Sequence, residues 1–487
     1  MVRVVTVARR HAIGSYDAQK WNWIVTVIGT LLFVFCLLVA LTQFVNPFPE
    51  DGWFESQYRI FGRSPGADNY TPVAVPAFVY ALVHFVVSVF GYGLAAEFYL
   101  GSLLHHLLLF LSGVFLYLSH CCLKLPKSGL TAAVLLVVSV ESTLLPQAFW
   151  SENVTLCLMS AILLIAVAIM TTPRLGDRGF LVLTVVFGLL LGGLTITRLI
   201  PLAILPGLIL LYWFYLSRQR AIRFALLATV IVFVIVFAAM SANLYRYGRF
   251  ELSNSIGRHL WNVVSLRSDE MLAESREYQI VKRAIPHPQG KYWWEIHPYN
   301  IHGLGIFTHE ELFRILSAQA VSRHPIPFLA IGVQNTSSLL ASYPQRLGIS
   351  QPHLYNPLRR ATMLPPLVQP LVLMDDFLAW FYGIAVEIYR YTVYGALVLG
   401  LFALATEVFS SSASEKTEGA LIRAVWVFMV YVFSAMLYLA GQIERPDSRY
   451  CMLHLPLVAL IASITVAMLC NLGRRLVEKR QGTIRYA

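Results

Sequence analysis

The stretch VAVPAFVYALVHFVVSVFGYG, residues 73–93, decides by parity how this chain is threaded. It is apolar enough to cross a bilayer, and about ten other stretches are too. If it crosses, the basic loops KLPKSG (124–129) and SRQRAIR (217–223) fall outside. If it does not, those loops, TTPRLGDRG (171–179) and the RRLVEKR tail (474–480) all fall in the cytoplasm, where short loops carry their excess of lysine and arginine. The second reading is adopted. Residues 73–93 are expected to form a helix lying along or dipping into the outer leaflet, with both chain termini cytoplasmic. Pro72 and Pro76 at its start, and Gly91 and Gly93 at its end, suit a helix that stops rather than a span.

Working outward, the class follows from composition: 57% of the 487 residues are hydrophobic and 13% charged, too few charges to clothe a water-facing globule. Spans are expected near 23–45, 103–122, 130–148, 153–172, 179–197, 200–216, 222–242, 380–406, 421–441 and 450–471. The fold class is therefore an all-α polytopic membrane protein, a bundle of about ten transmembrane helices. Three regions result: an N-terminal transmembrane module over 1–242, an outer segment over 243–379, and C-terminal spans with a cytoplasmic tail over 380–487. The outer segment is large enough to form a domain in water, and Thr308 three residues before Glu311 is a capping box ahead of an apolar periodic run, so it should be mostly helical. The basic lead MVRVVTVARRHAIGSYDAQKWNW lacks a small-residue cleavage site and reads as cytoplasmic, with Trp21 and Trp23 at the interface.

The formal charge of +11 points to anionic lipid headgroups or phosphate as partners. Nucleic acid is excluded, because no basic tract with interleaved aromatics lies in a soluble domain. The six cysteines, Cys36, Cys121, Cys122, Cys157, Cys451 and Cys470, lie in or beside apolar runs and read as small core residues.

Charges within a turn or so of the bilayer gather on the outer side. Glu50, Asp51 and Glu55 stand in the first loop, Glu152 at the AFWSEN turn, Arg198 at TRLIP, and Arg445, Asp447 and Arg449 in QIERPDSRY. Desolvating such a group costs on the order of 2.5–3.5 kcal/mol even on lenient scales, so each is a functional candidate, with mutual pairing as the structural alternative. The mixture suggests a chemistry: a carboxylate takes a proton from an acceptor hydroxyl, and arginines hold a phosphate bidentately as it leaves. A phosphate at headgroup depth with a tail in the bilayer describes a polyprenyl-phosphate sugar.

At this point the chain resembles the class C glycosyltransferases (GT-C), the superfamily that includes protein O-mannosyltransferases and the aminoarabinose transferases of lipid A. The likeness runs in order along nearly the whole length. It begins with PEDGWFESQY and YTPVAVPAFVYALVHFV, similar to an acidic first outer loop followed by a proline-containing juxtamembrane helix. AFWSENVTLCLMSAILL resembles their second acidic turn, and GLLLGGLTITRLIPLAILPGLILL their glycine-rich span ending in arginine. NLYRYGRFELSNSIGRHLWN, EELFRILSAQAVSRHPIPFL and ERPDSRYCMLHLPLVALIA are similar to later outer and terminal segments. The acidic pair departs from the usual order, reading Glu-Asp for Asp-Glu, and Thr-Pro stands where a double proline is common.

The resemblance implies a GT-C-like bundle with juxtamembrane helices and an outer, periplasmic or luminal, helical domain. It implies an inverting transferase in a bacterial inner membrane, moving a sugar from a polyprenyl-phosphate donor to a glycan, lipid or protein acceptor on the extracytoplasmic face. The general base falls to Asp51, with Glu50 as alternate, and the second acid to Glu152. Arg198, Arg445 and Arg449 hold the donor phosphate, with Arg59 a weaker candidate that, like Arg63, equally suits headgroup contact. Glu55, Tyr58, Trp261, Trp293 and Trp294 are assigned to the acceptor or sugar; the tryptophans would equally serve to pack the outer domain. No cofactor is required, no metal site is assigned, and a divalent cation bridging carboxylate and phosphate remains compatible.

Other motifs read as structural. His105 and His106 are adjacent and point to different faces of a helix, so interfacial packing outweighs metal binding. GLLLGGL lies inside a span without a following Lys-Ser/Thr and reads as close helix packing rather than a phosphate loop. The triplets at Asn69, Asn153 and Asn335 match glycosylation sequons and are uninformative. A transporter or lipid-linked-sugar flippase is the rival class, for which interrupted midplane helices and an internal repeat would be expected. A scaffold that binds polyprenyl phosphate without transfer is the second.

Overall fold

The stretch that decides the threading folds as a short helix. In the computed structural model the first two helices are α1 (Ser15–Thr42) and α2 (Ala74–Val89). The chain leaves α2 through a turn in which Gly91 takes a φ of +68°, a left-handed conformation that glycine adopts without steric cost. Sixteen residues span about 24 Å at about 1.5 Å each, short of the roughly 30 Å hydrocarbon core. Val83 and Val87 are buried while Leu82, Phe85, Val89 and Phe90 are exposed, an apolar outer surface suited to lipid.

The structure describes residues 15–42, 74–91, 94–138, 151–172, 176–198, 200–247, 250–252, 256–285, 287–296, 309–342, 391–406, 416–443 and 455–485. After α2 come α3 (Leu94–Cys122), α4 (Pro126–Val138), α5 (Ser151–Thr171), α6 (Asp177–Thr197), a 3-10 turn at Ile200–Ala203, α7 (Ile204–Tyr215) and α8 (Arg218–Tyr247). The outer segment supplies α9 (Ile256–Val264), α10 (Ser268–Met271), α11 (Arg276–Ala284), α12 (Trp293–Ile296), α13 (His309–Arg323) and α14 (Pro325–Ser342). Helices α15 (Tyr391–Thr406), α16 (Lys416–Ile443) and α17 (Leu455–Arg485) follow. Among the described residues, seven helices are long and apolar enough to cross a membrane, within α1, α3, α5, α6, α8, α16 and α17. The chain is a multi-pass membrane protein whose described regular structure is all helical. The three other expected spans overlap the shorter apolar helices α4, the 200–215 pair and α15, and residues 139–148 and 380–390 of two of them lie outside the described residues.

Two parallel helix pairs set the frame. Along α6 and α8, Asp177 pairs with Arg220 at 3.2 Å, and further up Gly188 and Gly192 receive Ile231 and Ile235, so one register holds over four turns. A Cβ added at Gly192 would press on Ile235 Cδ1 and lie 3.1 Å from its Cβ, which is why the GLLLGGL run is built of small residues. Gly192→Val is expected to cost about 1–3 kcal/mol by overpacking, read as faster hydrogen exchange of the α6 and α8 amides, with Gly192→Ala less affected. Along α3 and α5, the contacts Asn153 with His105, Cys157 with Ser112 and Thr171 with Cys122 fix a second parallel register.

These registers sort the helix ends. Asp177 and Arg220 meet at one end, and Tyr215 donates its hydroxyl to Ala420 O at 2.9 Å at the start of α16. These are the ends assigned to the cytoplasm from their basic loops. The opposite end carries His105, Asn153, Arg198 and Gln442. A single large core of buried aliphatic and aromatic residues from α3 to α8 and α15 to α17 fills the bundle.

The regular structure of the outer segment is helical among the described residues, and it has its own core, formed by Trp261, Val264, Met271, Tyr278, Leu312, Phe313 and Leu316 among others. Helix α14 joins the two cores. Ile331 packs with the outer core, Leu339 with the membrane core, and Asn335 Nδ2 donates to Gly441 O at 2.9 Å, while a Cβ at Gly441 would lie 2.9 Å from Gly332 O. Helix α14, which follows His324-Pro325, thus runs from the outer-segment core into contact with the C-terminal end of α16, because small residues on both helices permit close approach.

Candidate functional site

Helices α5 and α6 are both 21 residues long and adjacent in the chain, so the start of α5 and the end of α6 come level at the outer end of the bundle. Glu152 lies in the first turn of α5, where the helix dipole favours an acidic residue. Arg198 is the C-cap of α6, extended at φ −153° and ψ 131°, with its N–H bonded to Leu194 O at 2.7 Å. A cation is favoured there for the same electrostatic reason. The helix α2, which follows the acidic first loop, packs on α3, α5 and α6. Glu152 and Arg198, one from each candidate set, are therefore on neighbouring helices at one end.

Asp51, Glu50, Glu55, Tyr58, Arg59, Arg63, Arg445, Asp447 and Arg449 lie outside the described residues. So do the side chains of Glu152, Trp293 and Trp294, whose backbones are helical. Trp261 is described, and it is wholly buried. Its ring stacks on Phe313 with centroids 5.5 Å apart and stands 6.3 Å from Tyr278, leaving no face for a sugar. Of the two roles open to it, the geometry fits packing, and the assignment of Trp261 to sugar binding is withdrawn.

Beside Glu152 the bundle is unusually polar. Ser102, His105, His106, Asn153 and Thr155 are all buried at the outer ends of α3 and α5. Asn153 Nδ2 approaches His105 Nδ1 at 3.5 Å, and His106 Nδ1 bonds Ser102 O at 2.8 Å. His105 thus braces α3 against α5, while His106 bonds within α3. Asn153 and Asn335 sit buried within helices, so neither triplet is open to glycosylation. Among the described residues, no group of three His, Cys, Asp or Glu is placed to hold a metal ion.

Arg258 escaped the reading of the sequence. It is buried at 8% exposure on α9, which packs on α13 and on the outer half of the α16 pairing. The signal was there: Arg258, Trp261, Asn262 and Ser265 share one helical face at intervals of three and four, and all are buried.

Two acidic groups of the outer segment, Asp269 and Glu277, link its helices. Asp269 is held below the ordinary carboxylate range chiefly by a 2.9 Å hydrogen bond from Lys282 Nζ, with a further one from Tyr278. Glu277 is lowered likewise, first by Gln319 Nε2 at 2.9 Å. Burial pushes the Tyr278 hydroxyl up, so it stays a neutral donor to Asp269. These carboxylates tie α10, α11 and α13 together and are not placed for proton transfer to a substrate at the membrane. The chain matches no protein-family model, no curated protein and no solved structure.

Proposed function

We propose that the protein is an inverting glycosyltransferase of the membrane, taking a sugar from a polyprenyl-phosphate donor to a glycan, lipid or protein acceptor on the outer face. The observation that carries this reading is that the Glu152 end of α5 and the Arg198 end of α6 lie at the same end of adjacent helices, which both contact the helix that follows the acidic first loop. A carboxylate and a guanidinium near one another suit a reaction whose leaving group is a lipid phosphate.

In this mechanism the acceptor oxygen attacks the anomeric carbon from the face opposite the phosphate. The new C–O bond forms as the old one to the phosphate oxygen breaks, and the configuration inverts. Asp51, or Glu50, takes the acceptor proton, with Glu152 as the second acid. The phosphate leaves with the bonding electron pair and needs no protonation, because Arg198, Arg445 and Arg449 stabilise its charge, with Arg59 in a supporting place. A divalent cation, if bound, would supply further charge stabilisation between carboxylate and phosphate.

The test compares mass spectra of membrane lipids and surface glycans from cells with and without the gene. Loss of the gene is expected to raise one polyprenyl-phosphate sugar and to remove that sugar from an extracytoplasmic acceptor. Unchanged lipids and glycans would end the proposal.

A further inference from the structure

Most buried hydroxyls in this bundle are satisfied within their own helix. Ser112, Ser119 and Thr171 each bond the carbonyl four residues back, at 2.8 Å. Ser102 does not. Its Oγ is buried without a hydrogen-bond partner among the described residues, and the same holds for Asn153 Oδ1. One is a donor and the other an acceptor, and leaving either unmade in a low-dielectric setting is costly.

The surrounding contacts fix which atoms are on offer. Asn153 Nδ2 lies 3.5 Å from His105 Nδ1, which sets the Asn153 amide against the α3 histidine. The amide oxygen of Asn153 is thereby turned to the remaining side. Ser102 lies one turn before His105 and His106 on α3, and its own carbonyl is engaged by His106 Nδ1. No charged side chain is among these groups, which disfavours phosphate as their ligand and favours a neutral group that both accepts and donates.

We propose that Ser102 and Asn153, braced by His105, form a buried subsite for a hydroxyl of the donor sugar, next to Glu152. The subsite rests on the sugar-transfer reading. A sugar hydroxyl would accept from Ser102 Oγ and donate to Asn153 Oδ1, closing both bonds at once. A donor anchored by its tail in the bilayer carries its sugar at this depth.

The test measures binding to the full chain in phospholipid nanodiscs, using undecaprenyl phosphate and the same lipid bearing glucose, galactose, mannose or arabinose. The wild type is expected to hold at least one sugar lipid about tenfold tighter than the bare lipid, the equivalent of one good hydrogen-bonded pair. Ser102→Ala and Asn153→Ala should each cut that preference to within about twofold and leave bare-lipid binding alone, while Ser102→Thr, which keeps a hydroxyl, retains it. If the wild type binds all the lipids alike, or if both alanine variants keep the preference, the subsite is overturned by itself. If it binds none of them, the sugar-transfer reading falls and the subsite with it.

Discussion

Asp51→Asn is expected to slow sugar transfer about 10²–10⁴-fold, the usual contribution of a general base. Asparagine matches aspartate in shape and still accepts hydrogen bonds, but it cannot take the acceptor proton. The loss should fall on kcat, because donor binding rests on the arginines and the lipid tail rather than on this carboxylate. Glu50→Gln is the paired measurement. The two acids are adjacent in PEDG, in the reverse of the usual order, so the variant with the larger fall identifies the base. Initial rates within threefold of wild type for both would remove the first loop from the chemistry.

What could be read from the chain alone is uneven, and the reasons are physical. Span positions were legible because each needs a long apolar run, and the seven long helices and three shorter apolar ones fall where those runs stand. The threading rests on charge alone, because Lys124, Lys127, Arg174, Arg220 and Arg474 favour one sidedness, and the Asp177–Arg220 pair joins two of the basic loops. The halt of α2 at Val89 was announced by glycine, whose left-handed freedom is used at Gly91. The pairing of α3 with α5 was not legible. Nothing in a one-dimensional pattern says that His105 faces Asn153, since spacing defines a face of one helix and not the partner that covers it. For the same reason the contact of α14 with α16 was not legible: Gly332 and Asn335 look unremarkable until Gly441 is set against them. Arg258 was missed because charge was weighed by nearness to the bilayer rather than by helical face.

The loss of stability should be largest at Trp261. Trp261→Ala is expected to cost about 3–5 kcal/mol, the range for emptying an aromatic site in a packed core. The ring fills the middle of the outer-domain core between Phe313 and Tyr278, and no part of it reaches solvent. Trp261→Phe should be much milder, within roughly 1.5 kcal/mol, because the indole Nε1 is buried without a hydrogen-bond partner and its removal relieves a cost as well as shrinking the ring. Unfolding of a multi-core membrane protein is not a single transition, so the measurement is local: hydrogen exchange of the α9 and α13 amides followed by mass spectrometry. Alanine should raise exchange in both helices and leave α5 and α6 protected, and the phenylalanine variant should resemble wild type in exchange and in transfer rate. Normal exchange in the alanine variant, with transfer lost, would instead mean that the indole touches substrate and that the packed position is not its working one.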